Sequence, residues 1–333
     1  MPTVEQVREA LEGVLLLEPR RNLVELNMVR DIEVAEDRVK VVLALTPLSD
    51  AAKEATQERV RSTIEKLPGV VEATIDLVDL PTKELNQFGH VIAVMSGKGG
   101  VGKSVVAALL AIALNRQGYQ VGLLDADITG PSIPKMFGLK ARPMSSESAL
   151  MPVGTKSGIE VMSLNLLLPH EDDAVIWRGP LLAKAITQFW EDVVWGKLDY
   201  LIVDLPPGTA DIPLTVLQTL PLSGVVIIFT PQDLAAMVVK KAVHMAQKMS
   251  VPIIGVVENM SYFLLPDTGK RTEIFGPSKG EEMSQEAGAP LLGQLPIDPE
   301  IARLCDSGEI ERYNAEAFTA LSQAFIQAVP AES

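Results

Sequence analysis

Residues 97–104 read Gly-Lys-Gly-Gly-Val-Gly-Lys-Ser. Gly97, Gly102, Lys103 and Ser104 fit the spacing G-x-x-x-x-G-K-[ST], which suits one chemistry, the cradling of a phosphate chain. Gly97, Gly99, Gly100 and Gly102 let the backbone turn through positive φ and approach a phosphate closely. With Lys98 and Val101 between them, successive N–H groups form an anion nest. Lys103 is expected to bridge the β- and γ-phosphates of ATP, and the Ser104 hydroxyl to ligate Mg²⁺.

Three further positions carry charge that such a site would use. Leu201-Ile202-Val203-Asp204 is an apolar run ending in a carboxylate, and Asp204 is expected to hold Mg²⁺ through water. The loop Leu205–Thr209 that follows is placed to sense the γ-phosphate. Asp125 and Asp127 end another apolar run. Either they cap a turn before Gly130, or they serve the site, Asp127 orienting the attacking water and Asp125 helping to arrange the Mg²⁺ shell. Lys98 is either a solvated surface lysine or a cation that crosses a dimer interface to the partner's phosphates, a recognised way to stabilise transition-state charge.

The elements around these residues have the required form. Val91–Met95 reads as a buried strand and Val105–Arg116 as an apolar helix, giving strand, glycine-rich loop, helix. Further strands are expected at 120–124, 159–164, 199–203, 224–229, 252–257 and 290–294, with helices between them and a terminal helix over Ala315–Val329. That alternation predicts an α/β fold with a mostly parallel sheet flanked by helices. Ligands then bind beyond the carboxyl ends of the strands. Ahead of it, residues 1–80 read as a small α+β unit. It has a helix over Val4–Leu17, strands at Ile32–Ala35, Val39–Leu45 and Val71–Leu77, and a helix started by Ser49. Residues 81–89 read as a linker and 90–333 as the second domain.

The chain has 333 residues, is 47% hydrophobic and carries a formal net charge of −14. That acidity disfavours a nucleic-acid binder. Its single cysteine, Cys305, excludes a disulfide framework, and His90, His170 and His244 form no constellation. The first residues lack a signal-peptide pattern, the longest apolar stretch is too short to span a bilayer, and the expectation is a cytoplasmic protein.

The loop resembles the deviant phosphate loop of the nitrogenase iron protein and MinD class of P-loop ATPases. Within that class the chain is similar to the Mrp-type iron–sulfur cluster carriers. The matching runs are Gly97–Ser104, Asp125–Ser132, Trp177–Pro180, Asp199–Thr209, Thr230–Gln232 and Glu258–Phe263. Residues 1–80 resemble the SufT-like domain found ahead of bacterial members, best over Leu23–Asp31. The resemblance implies a P-loop NTPase fold, Mg²⁺-dependent ATP hydrolysis, a homodimer with Lys98 acting across it, and Asp127 positioning the hydrolytic water. It further implies that Asn259 contacts adenine and that Pro296 and Asp298 help wall the base. It also implies a bridging [4Fe–4S] cluster held by a Cys-x-x-Cys pair just after the Ser-Tyr-Phe run, and partners among iron–sulfur apoproteins or assembly proteins.

In that place this chain has Leu265 and Thr268, and neither supplies the thiolate that such a cluster needs. Two functions compete on these residues. One is an ATP-dependent iron–sulfur carrier or assembly factor. The other is a non-metal, ATP-switched homodimer that docks a protein partner. A small-molecule kinase is weaker, because nothing marks an acceptor site.

Overall fold

In the computed structural model, residues 1–16, 21–127, 130, 132–146, 149–168, 179–208 and 211–329 are described. The chain divides into two compact units. The first comprises Met1–Phe88 together with Pro143–Val153 and Gln188–Leu198.

In the first unit, helix α1 (Val4–Glu12) opens with a capping box between Thr3 and Gln6 and buries Val7 and Leu11. It ends at Gly13, short of the expected Leu17, because Leu15 leaves to bridge Asn22. Strands β1 (Val29–Ala35), β2 (Arg38–Leu43) and β3 (Glu72–Leu77) form a three-stranded sheet in that order. The first pair is antiparallel and the second parallel. Helix α2 (Asp50–Ile64) provides the crossover and buries Thr56, Val60 and Ile64. Ser49 stands at its N-cap, but its side chain makes no capping bond.

The sequence reading did not anticipate what completes this core. Ala149, Met151 and Val194, from far along the chain, join Leu23, Leu26, Met28 and Leu43 in one buried cluster. The segment around Trp195 is stitched in by polar groups. Arg21 donates to the Trp195 carbonyl at 2.8 Å, and the Asn86 side chain accepts from the Trp195 and Gly196 amides. A Cβ at Gly196 would lie 2.5 Å from the Glu25 carbonyl oxygen, so only glycine permits that approach. The stretch expected as a linker holds helix α3 (Thr82–Leu85), with Leu85 fully buried, and the start of the next strand.

Most of the second unit is organised by a nine-stranded sheet. Its strands are β4 (Gln87–Ser96), β5 (Val121–Asp125), β6 (Val153–Gly154), β7 (Glu160–Ser163), β8 (Lys197–Asp204), β9 (Gly224–Phe229), β10 (Ile253–Leu264), β11 (Arg271–Thr272) and β12 (Leu291–Ile297). The order is β11-β10-β9-β4-β8-β5-β7-β6, with β12 also on β10. Registers are parallel for β4/β9, β9/β10, β10/β12, β5/β8 and β5/β7, and antiparallel for β10/β11. Helices α4 (Lys103–Arg116), α5 (Ile133–Met136), α6 (Gly179–Glu191), α7 (Asp211–Thr219), α8 (Asp233–Lys248), α9 (Gly280–Ala287), α10 (Pro299–Ser307) and α11 (Glu316–Ala328) fall between or after the strands. The central strands carry fully apolar, buried runs such as Val225–Phe229, as a sheet covered on both faces requires. The largest departure from expectation is β10, which runs on to Leu264 and forms a hairpin with β11. Among the described residues no helix is long and apolar enough to cross a membrane.

Candidate nucleotide site

Strands β4, β8 and β5 lie side by side, β8 and β5 run parallel, and the Leu205 amide just beyond β8 donates to the Val94 carbonyl near the end of β4, so the carboxyl ends deliver Ser96, Asp204 and Asp125 to one edge. The loop from Gly97 to Gly102 leaves β4 there. Gly100 and Gly102 both have φ of +79°, the left-handed region that the sequence spacing requires. A Cβ at Gly102 would collide with the amide of Asn259. The Asn259 side chain donates to the Val101 carbonyl at 2.8 Å. At the other end of the loop, Ser96 Oγ donates to the Lys98 carbonyl. The Gly208 amide donates to the Ser96 carbonyl at 3.0 Å, which ties the loop after β8 to the end of β4.

Lys103 starts α4 and is 5% exposed. Its Nζ lies 2.5 Å from Asp204 Oδ1 and 3.8 Å from Asp127 Oδ2. It also lies 3.4 Å from Ser104 Oγ. Asp204 is fully buried, and its Oδ2 has no hydrogen-bond partner among the described residues. Burial pushes its carboxyl above the ordinary range against the opposing pull of Lys103. Asp125 is equally enclosed, and burial, reinforced by the neighbouring Asp204 charge, raises it to about 8. Asp125 accepts from the Asp127 amide at 3.2 Å, from Ser163 Oγ at 3.1 Å and from the Ile133 amide at 3.4 Å. The structure thus gathers one buried cation and three carboxylates at the strand ends. Such perturbed titratable groups are concentrated at functional sites.

Lys98 donates to Gln232 Oε1 at 2.7 Å within the same chain, where Gln232 stands at the N-cap of α8. Asp298 caps α10 by accepting from the Glu300 amide, and its other oxygen takes the Tyr313 hydroxyl at 2.9 Å. Pro296 pairs in register with Tyr262 across β12 and β10. Thr209, which belongs to the loop expected to sense the γ-phosphate, lies outside the described residues, as do Trp177 and Arg178.

The sequence reading missed the role of Glu258. Its buried carboxylate gathers Ser261 Oγ, Ser278 Oγ, the Lys279 amide and Gln294 Nε2. A glutamate within an apolar strand run was the available signal. The hairpin beyond it ends in Leu265–Gly269, where the Thr268 and Gly269 amides donate to the Leu265 carbonyl. Leu264 and Leu265 are exposed there. Cys305 is half-buried on α10, and burial pushes its thiol up to about 11. Among the described residues, no group of three or more histidine, cysteine, aspartate or glutamate side chains is placed to hold a metal ion.

Comparison with known proteins places this geometry. Residues 87–329 match the ParA family model described as NUBPL iron-transfer P-loop NTPase. Residues 4–75 match an iron–sulfur cluster assembly protein domain. The chain is 39% identical to an iron–sulfur cluster carrier protein of Synechocystis, over 97% of each chain. It is 48% identical to one from Aquifex aeolicus, over 68% of this chain and 63% of that one, so the match spans just under two thirds of the relative. Among solved structures, it is similar to a nucleotide-binding protein from Archaeoglobus fulgidus in complex with ADP. That match has 47% identity, a TM-score of 0.63, and covers 69% of this chain and 91% of the other. The Aquifex MinC–MinD complex shares the fold at 21% identity and a TM-score of 0.53. With the family model matched over most of its length and the phosphate loop in place, the chain belongs to the NUBPL/Mrp family of iron-transfer P-loop NTPases.

Proposed function

We propose that this chain binds and hydrolyses ATP with Mg²⁺ as a homodimer and that the cycle serves iron–sulfur cluster assembly. The observation that carries the reading is the buried contact of Lys103 with Asp204, which joins the phosphate loop to the end of β8. A lysine this enclosed needs an anion. With ATP present, the β- and γ-phosphates replace the carboxylate as its partner. The orphaned buried oxygen of Asp204 and the Ser104 hydroxyl are hard oxygen donors, a set that fits Mg²⁺. Bound there, Mg²⁺ would neutralise phosphate charge as it develops. Asp127, beside Lys103, is assigned to orient the attacking water. Lys98 is assigned to leave Gln232 and reach the partner's phosphates. Asn259, Pro296 and Asp298 are assigned to the adenine side by the family resemblance alone, and Asn259 also braces the loop at the Val101 carbonyl.

The test is an ATP titration and a phosphate-release assay on Lys103→Ala. Loss of this charge-assisted contact is expected to weaken binding about tenfold to a hundredfold. Unchanged affinity and turnover would remove the site assignment.

The hairpin favours a particular form of the cluster role. The two positions that carry thiolates in the resembling carriers are Leu265 and Thr268, on an exposed turn. The donor set in this chain therefore does not fit a resident [4Fe–4S] cluster. Any cluster handled by this protein is held on a partner's ligands, with the ATP-switched dimer as the docking device.

A further inference from the structure

The strand that braces the phosphate loop is irregular at the point where it does so. Glu258 pairs with Gln294 and Tyr262 with Pro296, so β10 takes four steps where β12 takes two. Bulges of this kind bend a strand and re-aim its side chains. Within the bulge Met260 has φ of +55°, a left-handed conformation that a residue other than glycine keeps only when its surroundings impose it. The bulge turns Asn259 and Met260 onto the loop. Both side chains lie against the place that a Cβ on Gly102 would occupy, and Asn259 Nδ2 donates to the Val101 carbonyl at 2.8 Å.

That bond fixes more than a carbonyl. In a trans peptide the C=O and N–H point opposite ways, so holding the Val101 oxygen on Asn259 directs the Gly102 N–H away from it. Gly102, at φ of +79°, has no Cβ to resist a flip of that peptide. A flipped peptide would present a carbonyl where an anion nest requires N–H groups. The placement of Asn259 is therefore part of the loop's readiness for phosphate, and what fixes it is Glu258. The Glu258 carboxylate has no exposure. Its Oε2 accepts from Ser261 Oγ at 2.6 Å, which closes a clasp across the bulge. The same carboxylate is moored outside the bulge, by Gln294 Nε2 of β12 at 2.8 Å. Ser278 Oγ and the Lys279 amide, just ahead of α9, hold it at 2.7 Å each. Releasing such donors from a buried carboxylate is costly, so the clasp resists straightening of the strand.

We propose that Glu258 is a positioning residue for nucleotide binding, acting through Asn259 on the Val101–Gly102 peptide of the phosphate loop. With the clasp closed, the bulge keeps Asn259 on the Val101 carbonyl and the loop stays in one orientation. With the clasp open, Asn259 drifts and the peptide samples both orientations. The competent fraction of the loop falls, and apparent nucleotide affinity falls with it. The effect on affinity rests on the ATP reading above, whereas the hold on the loop does not.

Two measurements on the full chain separate these parts. The first is hydrogen–deuterium exchange without nucleotide, followed over residues 97–104 with Val225–Phe229 of β9 as the reference. Ser261→Ala removes the clasp and leaves Glu258 its other donors, so the fold is expected to persist. Exchange over 97–104 is expected to quicken about fivefold, with β9 unchanged, as the loss of one hydrogen bond allows. Glu258→Gln, which sets an amide N–H among groups that donate, is expected to exceed that. The second measurement is a titration with fluorescent ADP and ATP. Ser261→Ala is expected to weaken both about fivefold, and Asn259→Ala about tenfold. In the Asn259→Ala background, Ser261→Ala is expected to remove no further affinity, because the clasp then has nothing to position. Unchanged loop exchange in Ser261→Ala, or equal quickening in β9, overturns the hold on the loop. Losses that multiply in the double variant overturn the route through Asn259. Undiminished nucleotide affinity in Lys103→Ala removes the ATP reading instead, and the exchange measurement then decides the clasp by itself.

Discussion

At the scale of single residues, the site is a contest between burial and charge. Lys103 donates to Asp204, whereas among the described residues the donors to Asp125 are the Asp127 and Ile133 amides and Ser163 Oγ. Burial therefore holds the Asp125 carboxyl at about 8, against 3.8 when unperturbed. The sign of the consequence is fixed. A raised folded-state value means that the stability linked to Asp125 is fully present below about 3.8 and is lost as pH rises to about 8. Nucleotide-free protein is thus expected to lose stability over that window, with a slope from this group of up to about 1.4 kcal/mol per pH unit. Asp125→Asn, neutral throughout, is expected to flatten the slope. Urea unfolding at several pH values checks it, and an identical slope in the variant would show that Asp125 is ionised in the folded state. The identities of these residues were legible in the sequence, because strand-end carboxylates and a glycine loop follow from local pattern. Their energetics were not. Burial of Asp125 depends on α5 and on Ser163, which lie 8 and 38 residues away.

At the scale of elements, strand positions in the main sheet were readable because apolar runs of four to six residues between turn residues leave little choice. The β10 hairpin was not. Glu258, Asn259 and Ser261 interrupt the apolar run, and the strand continues only because Glu258 finds four donors and Asn259 finds the Val101 carbonyl. The core of the first unit was likewise hidden, since Met151 and Val194 reach it from positions that local pattern assigns elsewhere. The hairpin makes a definite prediction about metal. Leu265 and Thr268 are joined by a turn hydrogen bond of 3.3 Å, so cysteines at those two positions would share one tip. Wild-type protein, reconstituted anaerobically and desalted, is expected to retain no stable [4Fe–4S] cluster. A Leu265→Cys/Thr268→Cys variant gives a dimer four thiolates and is expected to gain one. Iron and sulfide analysis decides the matter. About four irons per wild-type dimer surviving desalting would mean that other ligands in this chain serve.

At the scale of the whole molecule, the proposed cycle depends on a second copy. Lys98 is satisfied within its own chain, at 2.7 Å from Gln232, so reaching a partner's phosphate means exchanging a neutral acceptor for an anionic one. The exchange is favourable only when a γ-phosphate is present, because an anionic acceptor adds a Coulombic attraction to the ammonium that a neutral amide oxygen lacks. ATP thereby gains a contact in the closed dimer that it lacks in the open one, which is the differential affinity needed to shift an association equilibrium. Sedimentation with ATP is expected to show tightened dimers, and Lys98→Ala to lose that response while retaining ATP binding. The division of labour across the interface is then testable by mixing. Asp127→Asn disables the water-orienting group of its own site, and Lys98→Ala disables the site of its partner. In a heterodimer of the two variants, one site carries both defects and the other neither. Hydrolysis is expected to recover to about a quarter of wild type when the two are mixed equally and exchange at random, since half the dimers then hold one intact site. Each variant alone stays inactive. No recovery in confirmed heterodimers would place Lys98 in its own chain's site and sever the link proposed between ATP and dimer closure.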